Sequence, residues 1–242
     1  MIRSFQLLGA LSLLALAAFA AAGSELAADR SSAVKSENAM KVVVLGVSGR
    51  AGSRLRHELL QRGHQVTGIA RDVSAVPAQE GLTLASADVA DVQRLVPLLK
   101  GHDAVISSTR FVGSDAASLI EAVEAAGVSR LLVVGGAGSL EVAPGVALID
   151  TPEFPAAYKD EAGAGRDFLN VLRGEKELDW TFLSPSALFE PGQRTGKFRI
   201  GKDSLLVDAQ GNSSISMEDF AIALVDELEQ PEHSRQRFSV GY

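Results

Sequence analysis

From residue 40 onward, short unbroken apolar runs alternate with longer stretches whose apolar residues recur at helical spacing. Val42-Val43-Val44-Leu45 is apolar at every position and β-branched at three, the pattern of a strand buried on both faces. Ser53 to Arg62 follows as a helix with Leu55, Leu59 and Leu60 on one side, and Gly63 stands where a glycine ends a helix. Gln65 to Ala70 reads as a second strand. The alternation continues with strand Leu82–Ala85, helix Val92–Leu99, strand Asp103–Ser107, helix Ala116–Ala126 and strand Arg130–Val134. Helix Glu161–Leu172, strand Trp180–Leu183, helix Met217–Leu228 and strand Arg237–Val240 complete it. In the last helix Phe220, Leu224 and Leu228 share one face. Alternating helices and all-apolar strands predict a mostly parallel, doubly wound α/β sheet covered on both faces. No second core and no internal repeat beyond this alternation stand out, so residues 40–242 read as one domain.

The first 39 residues have another pattern. Arg3 is the only charge before Glu25, and the stretch between is rich in Ala and Leu, ending in Ala20-Ala21-Ala22-Gly23. A basic start, an apolar middle and small residues at a potential cleavage site predict a signal peptide over residues 1–23. A retained membrane anchor is the alternative, since the length just suffices. Residues 24–39 read as a flexible linker. The expected location is therefore exported or periplasmic if the leader is used. Met40, immediately before the first strand, offers a second start that gives a cytoplasmic protein.

Composition narrows the function. Of 242 residues, 46% are hydrophobic and 22% charged, as in ordinary globular proteins. The net charge is −7. Arg3, Arg30 and Lys35 cancel Glu25, Asp29 and Glu37, so the domain carries all of it. An acidic body without a Lys/Arg run argues against nucleic acid as a partner. The absence of cysteine excludes disulfides, thiolate metal sites and a cysteine nucleophile. The four histidines, His57, His64, His102 and His233, show no ligand spacing and read as solvated, so no metal is expected.

The first strand runs into Gly46-Val47-Ser48-Gly49-Arg50-Ala51-Gly52 and then a helix. In a dinucleotide-binding turn the first glycine permits the turn, the second admits a pyrophosphate, and the third lets helix and strand pack closely. Free N–H groups at the helix start would meet the phosphates. The domain is thus expected to be a single Rossmann-type, doubly wound, mostly parallel sheet with helices on both faces. At the end of the second strand stand Arg71 and Asp72. A basic residue there suits the 2′-phosphate of NADPH and an acidic one the ribose of NADH. Arg71, with Arg50 able to reach the same phosphate, favours NADPH, and NADH stays open.

These residues resemble the atypical short-chain dehydrogenase/reductases, in the NADH-flavin reductase branch related to flavin and biliverdin reductase B. The branch is suggested by Leu131 to Leu140, Asp150-Thr151-Pro152-Glu153-Phe154-Pro155, Asp179 to Pro185, and Arg235 to Tyr242. The likeness spans Met40 to the last residue, and the leader has no counterpart in it. By that resemblance, Gly46, Ser48, Gly49, Arg50, Ala51 and Gly52 hold the pyrophosphate side, with Arg50 and Arg71 on the 2′-phosphate. Asp88 and Val89 match the adenine position, and Ser107, Ser108 and Thr109 the strand end beside the nicotinamide ribose. Gly135 to Gly138 border the nicotinamide, and Ser184-Pro185-Ser186 close its other side.

The carbonyl-reducing Tyr-x-x-x-Lys pair is missing. Tyr158 is followed directly by Lys159, and position 162 is Ala. On a helix, i+1 points away from i. Ser139, Tyr158 and Ser186 are left as weak candidates for contact with a substrate. Hydride transfer to a flavin tolerates that absence, because the cofactor carries the hard chemistry. The expected activity is therefore an NAD(P)H-dependent reductase of a flavin or quinone-like planar acceptor, the flavin being substrate. A non-catalytic NAD(P)-binding sensor is the main alternative, and a sugar-nucleotide epimerase a third. Phe189 to Lys197 reads as an irregular segment, either a lid over the substrate or a long connection.

Overall fold

The computed structural model describes residues 39–242. The expectations of a signal peptide or anchor over residues 1–23 and of a flexible linker over 24–39 fall almost wholly outside the described residues. In chain order the principal elements are β1 (Lys41–Leu45), α1 (Arg50–Gln61), β2 (Gln65–Ala70), β3 (Leu82–Ser86), α2 (Val92–Leu99), β4 (Ala104–Ser107), α3 (Ala116–Ala125) and β5 (Arg130–Val134). A small hairpin, β6 (Glu141–Ala143) and β7 (Val146–Ala147), and two single turns of 3₁₀ helix lead to α4 (Lys159–Gly174). Then come β8 (Asp179–Pro185), β9 (Leu188–Glu190), β10 (Arg199–Gly201), β11 (Ser214–Ser216), α5 (Met217–Glu229) and β12 (Gln236–Gly241).

Eight strands form one sheet in the order β10-β12-β8-β5-β4-β1-β2-β3. All neighbours are parallel except β10, which runs antiparallel to β12 at the edge. Chain order reverses between β1 and β4, the switch point at which open α/β sheets bind ligands. The fold is the expected Rossmann-type α/β sheet.

Strand periodicity divides the apolar runs between two cores. Val43 and Leu45 face a cluster with Leu95, Val123, Phe168 and Phe182, built by α2, α3 and α4. Val42 and Val44 face the opposite cluster with Leu55, Leu59, Phe220 and Phe238, built by α1 and α5. Trp180 is buried in the first of these cores.

Three helices are capped by their own sequence. Asp91 accepts the Arg94 amide at the start of α2, Asp115 that of Ser118 at α3, and Ser216 that of Asp219 at α5. Among the described residues no helix is long and apolar enough to cross a membrane.

Three of the four histidines are packed rather than solvated. His64 is buried, with Nδ1 3.1 Å from the Met40 amide and Nε2 3.0 Å from Glu229. His102 lies 2.7 Å from the Thr67 hydroxyl, and His233 stacks on Phe238 with ring centroids 4.1 Å apart. The partners of His64 and the Thr67 partner of His102 lie more than 20 residues away in sequence, whereas His233 bonds Glu227 only six residues before it. Among the described residues no group of His, Asp and Glu is arranged to hold a metal.

The segment after β9 is no lid. The Gly192 amide donates to Glu218 at 2.7 Å, Arg194 pairs with Glu58 at 2.9 Å, and the Thr195 and Gly196 amides donate to Asp219 at 2.7 and 2.9 Å. It is a strap bound to α1 and α5, and none of its residues lines the larger cavity described below.

Candidate dinucleotide and acceptor site

The site is built at the carboxyl ends of β1, β2, β4 and β5. The chain leaves β1 through Gly46 at φ +79°, where a Cβ would lie 2.5 Å from the Ser108 carbonyl oxygen. Only glycine allows both this conformation and this approach. At Gly52 a Cβ would lie 2.1 Å from the Gly46 carbonyl oxygen, so α1 can pack on the turn only without a side chain there. The helix opens at Arg50, inside the glycine loop and earlier than its apolar spacing suggests.

Unlike α2, α3 and α5, α1 has no side-chain cap, and its first turn carries no acidic residue. Its first amides and positive dipole end are left for an anion from outside the chain. This uncapped start fits a pyrophosphate, with Gly49 supplying backbone that no Cβ shields.

Two cavities meet at this turn, sharing Gly49, Ser108, Thr109 and Arg110 in their walls. The smaller, about 500 Å³, takes in Gly46 and Ser48 of the loop, Arg71 and Asp72 after β2, and Asp88 and Val89 after β3. Ser74 donates to Asp72 through its hydroxyl and its amide, which holds the Asp72 carboxyl below the usual aspartate range. A cation and a stable anion therefore line the same cavity.

The larger cavity, about 730 Å³, begins at Arg50 and Ala51 and is walled by Gly135 to Ser139 after β5. Phe154, Pro155 and Tyr158 close it from the turn before α4. Its lining is mainly apolar. Tyr158 is 65% exposed, and Ala162, where a lysine partner would stand, packs against Gly138.

Several expected positions lie elsewhere. Arg50 lines the larger cavity and not the one that holds Arg71, so the two arginines do not meet there. The helix begins at Arg50 and carries it to the β5 side of the loop. Gly52 is buried packing and lines neither cavity. Ser107 is buried too, 3.2 Å from the Thr109 hydroxyl and outside both cavities. Pro185 and Ser186 do not close over the larger cavity. β8 continues through Pro185, and the Ser186 hydroxyl donates to the Val240 carbonyl at 3.1 Å, so it turns into the sheet. Ala187 reaches the cavity instead.

Other residues of the site escaped the sequence reading. Glu161 accepts the Phe111 amide at 2.7 Å and the Val112 amide at 3.2 Å, and it pairs with Arg110 at 3.3 Å. It thereby ties the loop after β4 to α4. Phe111 rests on Phe168 and Phe182 with ring centroids 5.3 and 5.9 Å apart. Glu161 lies in the first turn of α4, three residues after Tyr158, and both line the larger cavity.

An uncapped helix at the switch point, with one cavity on each side of a glycine turn, defines a dinucleotide-binding Rossmann protein. The chain belongs to the NAD(P)H-binding family, whose model matches residues 46–231. It is 41% identical over 211 residues to the uncharacterized protein YwnB of Bacillus subtilis, covering 83% of this chain and 98% of that one. A Bacteroides thetaiotaomicron structure provisionally named an epimerase is 44% identical with a TM-score of 0.80, over 84% of this chain and 97% of that one. A Burkholderia pseudomallei structure provisionally named an exported protein is also 44% identical, with a TM-score of 0.76 over 84% and 100% of the two chains. A Streptococcus pneumoniae structure provisionally named an NADH-flavin reductase is 36% identical, with a TM-score of 0.73 over 84% and 99%.

Proposed function

We propose that the protein is an NAD(P)H-dependent reductase that passes hydride to a flavin or quinone-like planar acceptor, with NADPH preferred. One observation carries the reading: a largely apolar 730 Å³ chamber shares a wall with the cavity lined by Arg71 and Asp88. A dinucleotide laid across the Gly49–Ser108 wall puts its adenosine half in the smaller space and its nicotinamide half in the larger. The remaining room suits a flat ring held against the nicotinamide. Bound NAD(P)H supplies the hydride. The protein's share is to hold two rings in contact and keep water out.

The name of the Streptococcus pneumoniae neighbour agrees with this reading. The epimerase name of the Bacteroides neighbour is harder to carry over, since Tyr158 has no lysine partner and Ala162 fills that position. The same lack keeps a non-catalytic sensor as the second reading.

The test is a titration of the purified protein with NADPH and NADH, followed by addition of FMN, riboflavin or menadione while reduced-nicotinamide absorbance is recorded. The expected result is NADPH binding and oxidation that depends on the added acceptor. Tight binding without oxidation by any acceptor establishes the sensor. No binding of either nucleotide removes both readings.

A further inference from the structure

Among the hydroxyls lining the larger cavity, Ser139 differs in what stands behind it. It ends the Gly135–Ser139 wall after β5. From β12, the Arg237 guanidinium approaches the Ser139 hydroxyl oxygen at 3.4 Å and its carbonyl oxygen at 3.5 Å. The Arg237 side chain is 3% exposed, and its Nε lies 2.9 Å from Asp203. A guanidinium can only donate. The Ser139 oxygen is therefore the acceptor in this contact, and its own proton must point elsewhere. Among the described residues no acceptor takes that proton, and Ser139 lines the cavity. Tyr158, the other hydroxyl of interest, stands mostly in solvent.

We propose that Ser139 donates a hydrogen bond to the acceptor during its reduction, with Arg237 as the positioning residue behind it. The proposal rests on the reductase reading and names the acceptor by its chemistry: a flat conjugated ring with a carbonyl oxygen or imine nitrogen in conjugation. Hydride from the nicotinamide forms one bond to a ring atom. The electron pair displaced from the conjugated double bond collects on that oxygen or nitrogen, and one proton from water neutralises it. The nicotinamide leaves oxidised by two electrons, and the acceptor has gained one hydride and one proton. Ser139 keeps its own proton throughout. Its hydrogen bond is strongest when negative charge peaks on the acceptor, and Arg237, whose charge Asp203 offsets, acts by occupying the Ser139 oxygen and leaving its proton for the cavity.

The experiment compares the full-length wild type with Ser139→Ala, Ser139→Thr and Arg237→Lys, each first shown to be folded by its melting curve. At saturating NADPH, Ser139→Ala should lower kcat for menadione or FMN by about 100-fold, the lower end of the range for losing one donor to a developing oxyanion. KM for NADPH should stay near the wild-type value. Ser139→Thr, which keeps the hydroxyl, should recover most of the rate. A second readout needs no turnover. The planar phenol alizarin changes colour on ionisation, and protein with NADP⁺ should favour its phenolate, an effect that Ser139→Ala abolishes. Full activity in Ser139→Ala overturns the proposal, as does a Ser139→Thr variant no better than Ser139→Ala, or alizarin ionisation that the wild type leaves unmoved. These outcomes leave the reductase reading standing. A wild type that reduces no flavin or quinone ends that reading before any variant is made.

Discussion

Arg71 and Asp72 line one cavity with opposite charges, and the choice of dinucleotide turns on which of them a ligand meets. A 2′-phosphate gains a charge-assisted hydrogen bond from Arg71 and is repelled by Asp72; a ribose diol finds an acceptor in Asp72 alone. Hydrogen bonds to charged groups contribute about 1.5–3 kcal/mol. Arg71→Ala should therefore weaken NADPH roughly 10–100-fold while NADH changes by less than about threefold. Fluorescence titrations with both nucleotides check this, and equal weakening of the two would remove Arg71 from the 2′-phosphate site. Residue types at strand ends were legible in sequence because a motif fixes their place along the chain. Side-chain direction was not. Arg50 and Arg71 have the same chemistry at the ends of neighbouring strands, yet the start of α1 carries Arg50 to the larger cavity while Arg71 lines the smaller. Ser186 looked like a substrate contact and is spent on the Val240 carbonyl. Hydrogen bonds across 50 residues or more leave no trace in local pattern, and Glu161 and the Arg237–Ser139 contact both depend on them.

Elements were readable in proportion to their apolar content. β2, α2 and β5 begin and end at the residues their patterns indicate, because a strand buried on both faces or an amphipathic turn must write its burial into the sequence. β9, β10 and β11 span three residues each and carry no period to read. What holds that region is a polar clamp. Asp219 is fully buried in α5 and accepts from the Thr195 hydroxyl at 2.5 Å, from the Thr195 and Gly196 amides, and from the Tyr242 hydroxyl at 2.8 Å. Burial pushes this carboxyl up, but the hydrogen bonds from Thr195, Gly196 and Tyr242 outweigh it and hold the carboxyl below the ordinary aspartate range. A depressed folded value means the clamp's contribution is complete above the unfolded aspartate pKa of about 3.9 and is lost as pH falls through the lower folded value. Asp219→Asn should cost about 2–3 kcal/mol at pH 7, because a neutral amide satisfies fewer of these donors. It should also flatten the fall in stability below about pH 4. Urea melts at pH 7 and across pH 3–5 measure both. An unchanged midpoint would show that the strap is not held by this carboxylate.

At the scale of the whole molecule, the switch point between β1 and β4 sets the glycine turn and both cavities on one edge of the sheet. Residues 1–23, whose composition predicts a signal peptide or anchor, would decide whether that edge ever meets its reductant. A signal of the general secretory kind threads the chain unfolded, so a dinucleotide cannot travel with it. Reduced nicotinamide is regenerated by cytoplasmic metabolism. The reductase reading therefore requires the domain to face the cytoplasm, either from a start at Met40 or behind a retained anchor. The export pattern of residues 1–23 and the name of the Burkholderia pseudomallei neighbour pull the other way. Cell fractionation with N-terminal sequencing of the mature chain separates these outcomes. The reductase reading expects a protein that begins at Met40 in the soluble cytoplasm, or one that keeps its leader in the membrane and resists external protease. A periplasmic chain beginning near residue 23 would instead bind its nucleotide, if any, without a supply of reducing equivalents. The sensor reading would then account better for a folded domain whose glycine turn and uncapped helix are intact.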